Sequence, residues 1–222
     1  IIAVVVVVFA GLYVRNQVQS EFVSRGENLC PIEGPLTRET VLMIDATDSF
    51  TKSHRDSVMN YIRQILVNSE LDEKFTLYSL NDEPNSFQPL FSVCNPGDGQ
   101  DRSRWTENIR RLAEDWENKF LANITTAVEN IFIGPTAENS PIMEMFKFVG
   151  IRSMFESTAP AKRIVAVSDM VEHTSNYSQY TDSLNFSDFV NNPYFREVRP
   201  RLNDVDVEIL YIQRPELNAI QR

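Results

Sequence analysis

Two uninterrupted apolar runs, each followed by an aspartate, constrain the fold of this 222-residue chain more than any other feature. The runs are "TVLMIDA" (40–46) and "KRIVAVSDM" (162–170), and both are rich in β-branched residues. Continuous apolar strands are buried on both faces, which is typical of parallel sheets covered by helices on each side. The two runs therefore predict neighbouring strands in the interior of an α/β sheet.

The remaining segments supply helices and further strands to this sheet. Apolar residues recur at helical spacing in some segments, and cluster or alternate as in strands in others. The predicted helices cover 51–68, 105–121, 141–154 and 187–199, and the other predicted strands cover 74–80, 89–95 and 205–213. Ser140-Pro141 is expected to open the third helix, with Ser140 as its N-cap. Strands that alternate with helices favour a mostly parallel, doubly wound sheet.

The first fourteen residues, "IIAVVVVVFAGLYV", carry no charged side chain. They are fewer than the ~20 apolar residues that cross a membrane, but the chain begins at Ile1 and not at Met. We expect residues 1–14 to be the end of a transmembrane helix; a buried strand or a signal-peptide core is the alternative. Residues 15–37 are then a polar connector and residues 38–222 the folded domain.

Composition excludes some classes of function. The formal net charge is -10 and there is no Lys/Arg run, which argues against a nucleic-acid partner. The chain has no Gly-x-Ser-x-Gly, Walker or Gly-x-Gly-x-x-Gly motif, and we expect it not to be an enzyme. Cys30 and Cys94 are either two buried thiols or one disulfide in an oxidising compartment.

Carboxylates and hydroxyls follow the two apolar runs. Asp45, Thr47 and Ser49 come after the first run and Asp169 after the second. The carboxyl ends of parallel strands meet at one edge of a sheet, where ligands collect. These hard oxygen donors suit Mg²⁺, Mn²⁺ or Ca²⁺ better than zinc. The alternative is that Thr47 and Ser49 only cap the helix predicted at 51–68.

The same residues resemble the metal-ion-dependent adhesion site of von Willebrand factor A-type (vWA) domains. Asp45-Ala46-Thr47-Asp48-Ser49 is similar to the family's Asp-x-Ser-x-Ser motif, and "SPIMEMF" (140–146) is similar to the segment that carries its metal-binding Thr. The resemblance covers about residues 38–213, with five predicted strands where the family usually has six. It implies that one divalent cation is bound by Asp45, Thr47, Ser49, Ser140 and Asp169, with Thr136 as a rival to Ser140.

The resemblance also implies a function. In the family, hydroxyls contact the metal directly, at least one Asp acts through water, and a partner protein offers an acidic side chain. The expectation is therefore a membrane-anchored module that binds another protein through Mg²⁺, or through Ca²⁺ or Mn²⁺. One alternative is a structural subunit of a membrane complex with a vestigial site. Another is a haloacid-dehalogenase-like phosphatase, although Thr47 replaces the second acid of that family's Asp-x-Asp-x-Thr motif.

The implied fold bears on the two cysteines. In it, the strand at 89–95 runs antiparallel to its neighbours, and its end lies where the chain enters the first strand. Cys30 and Cys94 then meet at one end of the sheet, and residues 31–40 give enough slack for the ~5.5 Å Cα separation of a disulfide. A disulfide implies that the domain lies in the periplasm or outside the cell.

Overall fold

A computed structural model describes residues 24–80, 87–99 and 109–221. Five strands form one sheet in the order β3-β2-β1-β4-β5. They are β1 (Arg38–Asp45), β2 (Lys74–Leu80), β3 (Phe91–Cys94), β4 (Ala161–Ser168) and β5 (Asp206–Tyr211). All neighbouring pairs are parallel except β2 and β3, which are antiparallel. The structure confirms the prediction of a mostly parallel sheet with one antiparallel edge strand.

Helices pack on both faces of the sheet. They are α1 (Lys52–Val67), α2 (Ile109–Asp115), α3 (Ala122–Phe132), α4 (Ile142–Val149), α5 (Phe186–Asn191) and α6 (Pro193–Val198). A π-helical stretch, Trp116–Leu121, joins α2 to α3, and another, Gly150–Phe155, follows α4. A 3₁₀ turn, Pro215–Leu217, follows β5.

The residues of β4 show why the sheet is doubly covered. Val165 and Val167 lie in the core that includes residues of α1 and α3, whereas Ile164 and Ala166 lie in the core formed with α4. Each of these four side chains is fully buried. A strand that is buried on both faces has no polar face, as the uninterrupted run predicts.

Three of the predicted helices differ from those observed. The helix predicted at 105–121 continues through the π-helical stretch to Phe132, and its predicted start lies outside the described residues. The single helix predicted at 187–199 is wrong. Asn192 has an extended conformation (ψ 136°), and its side chain caps α6, which opens with Pro193; a residue before proline avoids the α region, so the helix is broken there. Ser140 as an N-cap is also wrong, because Pro141 holds the cap position without any side-chain capping bond.

The predicted disulfide is present. Cys30 and Cys94 are bonded, with their Cα atoms 4.7 Å apart. Cys94 is the last residue of β3 and lies opposite Lys74, the first residue of β2, so the antiparallel direction of β3 brings Cys94 to the sheet end where β1 begins. An Arg25–Asp72 ion pair at 2.6 Å also ties the part of the connector before Cys30 to the domain.

The predicted transmembrane helix, residues 1–14, lies outside the described residues, as do residues 15–23 of the connector. Within the described ranges, none of the helices has the length and apolar character needed to cross a membrane.

Candidate metal centre

The parallel strands bring the candidate residues to one edge of the sheet. Asp45 is the last residue of β1 and Ser168 the last residue of β4. Ile44 pairs with Val167 across the two strands, so that Asp45 and Ser168 follow as neighbours. Asp169 comes directly after β4, and Arg214 comes three residues after the end of the parallel strand β5. The carboxyl ends of three adjacent strands therefore contribute to one site.

Asp45 is a buried carboxylate held by hydroxyl donors. Thr47 donates to its Oδ1 from Oγ1 (2.7 Å) and from its backbone N–H (3.2 Å), and Ser168 Oγ donates to its Oδ2 at 2.7 Å. Burial raises the pKa of the Asp45 carboxyl above its ordinary value, and the negative charge of Asp169 raises this pKa further, against the effect of these hydrogen bonds. The carboxylate is oriented, but its negative charge is costly unless a cation lies close.

Thr47 and Ser49 do not cap the helix that follows them. The N-cap of α1 is Thr51, whose side chain accepts a hydrogen bond from the His54 N–H at 3.2 Å. Thr47 is buried and bonded to Asp45, whereas Ser49 is exposed. The alternative that assigns Thr47 and Ser49 to helix capping is therefore wrong.

Ser140 lies in the loop before α4, which packs against both other loops of the site. The Ala137 N–H donates to the Thr47 carbonyl at 2.9 Å, and Ser140 and His173 exchange two backbone hydrogen bonds of 2.7 and 3.1 Å. The Ser140 side chain is buried, and its Oγ makes no hydrogen bond to any residue that the structure describes. Its rival Thr136 is exposed. A buried hydroxyl without a partner is uncommon and calls for an explanation.

Asp169 is positioned by a tight turn and by an arginine. Met170 adopts a left-handed conformation (φ 58°), and the turn directs the Val171 N–H to Asp169 Oδ1 at 3.0 Å. The Arg214 Nε donates to Asp169 Oδ2 at 2.6 Å, and its Nη1 donates to the Ser49 carbonyl at 2.9 Å. Arg214 thus links the loop after β1 to the loop after β4.

The donor set fits a hard divalent cation. Two buried carboxylates, the Thr47 hydroxyl and the unpaired Ser140 hydroxyl are oxygen ligands of the kind that Mg²⁺, Mn²⁺ and Ca²⁺ accept. Among the described residues, no group of three or more His, Cys, Asp or Glu is placed to hold a metal, so the hydroxyls would have to act as ligands beside Asp45 and Asp169. The ion pair between Arg214 and Asp169 is the feature that a metal would have to accommodate.

Tyr180 and Glu172 lie in the loop that follows Asp169. Tyr180 packs edge-on against His173 at 5.2 Å and is 48% exposed. Burial raises its pKa, as do the negative charges of Asp48, Asp169 and Asp45. Glu172 is buried, accepts hydrogen bonds from Tyr194 Oη (2.6 Å) and the Met143 N–H (2.9 Å), and has a pKa that burial raises to about 7.

The sequence interpretation missed two polar residues of this site. Ser168, which bonds Asp45, was visible as the polar residue that ends an otherwise apolar strand next to β1. Arg214 follows the last strand, and in a parallel sheet any polar residue at that place reaches the same edge. The burial of Arg214 (7% exposed) has no local signal, because it depends on contacts with Asp169 and Ser49, which are distant in sequence.

Comparison with known proteins gives only remote likeness to solved structures. No protein family model and no curated protein matches the chain. Among solved structures it is similar to an aerotolerance-related membrane protein from Bacteroides fragilis (9% identity, 80% of this chain and 69% of that chain, TM-score 0.42). It is also similar to the pilus adhesin SpaC from Lactobacillus rhamnosus GG (10% identity, 64% of this chain and 16% of that chain, TM-score 0.39). A third similar structure is the VWA domain of SpRpn10 (11% identity, 83% of this chain and 94% of that chain, TM-score 0.28). Likeness at these scores carries nothing about function.

Proposed function

We propose that the domain binds one divalent cation at the carboxyl edge of its sheet and uses it to bind an acidic side chain of another protein. The observation that carries this proposal is the buried Ser140 Oγ, for which the described residues offer no hydrogen-bond partner. Leaving such a hydroxyl unpaired costs about 1–3 kcal/mol. A bound cation gives that oxygen a partner.

Each candidate ligand has a distinct part in this proposal. Asp45 supplies a buried carboxylate, and Thr47 and Ser140 supply buried hydroxyl oxygens. Ser168 orients Asp45 through the 2.7 Å hydrogen bond to Oδ2. Asp169 and the exposed Ser49 complete the set on the side where Arg214 lies. A cation bound there would supply a positive charge and an open coordination position, which Mg²⁺ often fills with water or a partner's oxygen.

Electrostatics favour a cation-dependent partner contact. The chain carries a formal net charge of -10, and Asp48, whose side chain is 53% exposed, adds a carboxylate close to Arg214. An acidic partner is repelled by a surface of this sign. A divalent cation at the centre reverses the local sign, so that binding of a partner's carboxylate becomes dependent on the metal. The proposal assigns no chemistry to the chain itself.

The proposed location is the outer side of a membrane. The Cys30–Cys94 disulfide supports an oxidising compartment such as the periplasm or the cell exterior. The apolar residues 1–14 support anchoring by a transmembrane helix.

One observation favours a second candidate, a structural subunit of a membrane complex whose centre no longer binds metal. The Arg214 guanidinium already neutralises Asp169 at 2.6 Å, so the metal-free site is not left without positive charge. The two candidates predict opposite results in a metal titration.

The test compares wild-type protein with Asp45→Asn in thermal unfolding at increasing Mg²⁺ or Mn²⁺. Asparagine keeps an oxygen for the Thr47 donors, and its amide can donate to Ser168 Oγ, so the metal-free fold is preserved. Metal at about one hundred times its Kd stabilises the wild type by about 2.7 kcal/mol, and the variant should gain nothing. A wild type whose stability does not respond to either metal, or a variant that responds equally, would contradict the metal centre.

Partner binding is tested by pull-down of the full chain, extracted from membranes, with and without a chelator. The proposal predicts a partner that is lost with the chelator and lost in Asp45→Asn. A complex that survives both changes would favour the structural subunit. Hydrolysis of small phosphoesters that Asp45→Asn abolishes would favour the phosphatase.

A further inference from the structure

We propose that Arg214 and the divalent cation are alternative partners of Asp169, so that metal binding displaces the Arg214 guanidinium and loosens the C-terminal segment 212–221. This inference rests on the proposed function, because it takes the cation to bind at the centre described above. It adds a regulatory contact within the chain and a structural response to metal binding.

Arg214 already pairs with one carboxylate oxygen of Asp169. The Arg214 Nε lies 2.6 Å from Asp169 Oδ2, and both side chains are buried. The other oxygen, Oδ1, accepts the Val171 N–H at 3.0 Å. A cation that draws on Asp169, directly or through water, therefore meets a carboxylate whose two oxygens already have donors.

A bound cation and the Arg214 guanidinium carry charges of the same sign. Without metal, the guanidinium supplies a positive charge beside two buried carboxylates, Asp45 and Asp169. With metal, a dication and a guanidinium would share one carboxylate in a place where water screens little, and like charges repel strongly there. Binding of one cation must then weaken the binding of the other, and this coupling is reciprocal.

Asp48 is a second carboxylate with which a displaced guanidinium can pair. The Asp48 Oδ2 lies 3.9 Å from the Arg214 Nε, and the Asp48 side chain is 53% exposed, whereas that of Asp169 is 5% exposed. If the guanidinium moves toward Asp48, it stays paired with a carboxylate. Its charge also becomes more accessible to water, which removes part of the desolvation cost of its buried position. The Arg214 Nη1 also donates to the carbonyl of Ser49, the residue that follows Asp48, at 2.9 Å.

Hydrogen bonds connect Arg214 to the C-terminal segment. The Arg214 N–H donates to Gln221 Oε1 at 2.8 Å, and Gln221 Nε2 donates to the carbonyls of Asp169 (3.1 Å) and Ile212 (3.0 Å). The 3₁₀ turn Pro215–Leu217 lies between Arg214 and Gln221. Moving Arg214 away from Asp169 disturbs this closed set of hydrogen bonds, so metal binding is transmitted to segment 212–221.

The test measures Mn²⁺ affinity by calorimetry for the full chain in detergent, as wild type, Arg214→Gln and Arg196→Gln. Arg196 is an exposed arginine on α6, and its variant removes the same charge away from the site. Competition predicts that Arg214→Gln binds Mn²⁺ more tightly, within the roughly 5- to 150-fold range of ordinary coupling, while Arg196→Gln matches the wild type. Equal or weaker binding by Arg214→Gln would overturn the inference and leave the metal centre in place. No binding by the wild type or by Arg214→Gln would overturn the centre and the inference together.

Hydrogen exchange on the wild type provides a second readout that does not depend on how Arg214→Gln folds. Saturating Mn²⁺ should speed exchange of the amides of residues 214–221, and it should slow exchange in the loops of residues 46–50 and 137–140. Slower exchange in 214–221 on metal addition would mean that Arg214 supports the centre, and would overturn the inference. Arg214→Lys, which keeps the charge but loses the guanidinium fork, should have an affinity between those of wild type and Arg214→Gln.

Discussion

Ser140 and Ser153 form a matched pair for testing the centre. Both serines are buried to the same extent, with 8% of each residue exposed. Ser153 Oγ is bonded to Tyr78 Oη at 3.0 Å, whereas Ser140 Oγ lacks a partner within the described ranges. Replacement of each serine by alanine therefore removes the same atom from two different environments.

The two substitutions are expected to change the free energy of unfolding in opposite directions. Without metal, Ser140→Ala should raise the free energy of unfolding by on the order of 1 kcal/mol, since it removes an unpaired buried hydroxyl. Ser153→Ala should lower it by about 1–3 kcal/mol, because it leaves the buried Tyr78 hydroxyl unpaired. With metal at about one hundred times the wild-type Kd, the wild type gains about 2.7 kcal/mol. If Ser140→Ala weakens affinity about tenfold, its gain falls to about 1.4 kcal/mol.

The assay is urea unfolding of the three proteins, each with a chelator and with Mn²⁺. In thermal unfolding of the same samples, the full metal effect corresponds to about 5–10 °C in Tm for a domain of this size. Ser153→Ala should keep the full metal-induced gain from its lower starting stability. A Ser140→Ala protein that is destabilised without metal, or one that keeps the full gain with metal, would contradict the role of Ser140 as a metal ligand.

Two further predictions concern the disulfide and the buried carboxyl of Glu172. Replacing both Cys30 and Cys94 by alanine removes a crosslink between residues 64 positions apart, and the chain-entropy model gives a loss of about 4 kcal/mol in the free energy of unfolding. The stability of the double variant should also no longer respond to a reductant. An unchanged urea midpoint would contradict the structural role of the disulfide. Burial raises the pKa of Glu172 to about 7 from the 4.5 of an exposed carboxyl. The stability that the protonated Glu172 contributes is therefore fully present below about pH 4.5, and the free energy of unfolding falls by roughly 3 kcal/mol as the pH rises to 7. Glu172→Gln should lack this decline in a urea series from pH 4.5 to 7.5, and an identical decline in both proteins would assign it to other groups.

The sheet could be predicted from sequence because each strand has a hydrophobic pattern that is visible within its own segment. The apolar runs that became β1 and β4 are buried on both faces, a pattern that is typical of interior parallel strands. The strand pattern at 74–80 matches β2 residue for residue. The disulfide was predicted from the antiparallel direction of β3 that the resemblance to vWA domains implied.

The helix boundaries were less predictable, because side chains and backbone compete for them. The extended conformation of Asn192 before Pro193 divides a segment with helical periodicity into α5 and α6. The continuation of α2 into α3 through Trp116–Leu121 depends on packing in the core, where Phe120 is fully buried. Periodicity alone does not encode either event.

The site was predicted only in part, for a similar reason. Asp45, Thr47 and Asp169 follow strands whose positions the sequence reveals, and the structure brings Asp45 and Thr47 into direct contact. Asp169 and Arg214 are 45 positions apart in the chain, and a local sequence pattern does not predict such a pair. The cation itself, the role of Ser140 as its ligand and the acidic partner remain predictions.

The most direct test of the central claim is a crystal structure of the domain grown with Mn²⁺, with anomalous difference maps recorded at the manganese edge. The metal-centre account predicts one strong anomalous peak about 2.0–2.3 Å from Ser140 Oγ, within the same coordination shell as Thr47 Oγ1 and close to the carboxylates of Asp45 and Asp169. Saturating Mn²⁺ with no peak near Ser140 Oγ, and with that hydroxyl hydrogen-bonded to an ordered water in the same position, would contradict it.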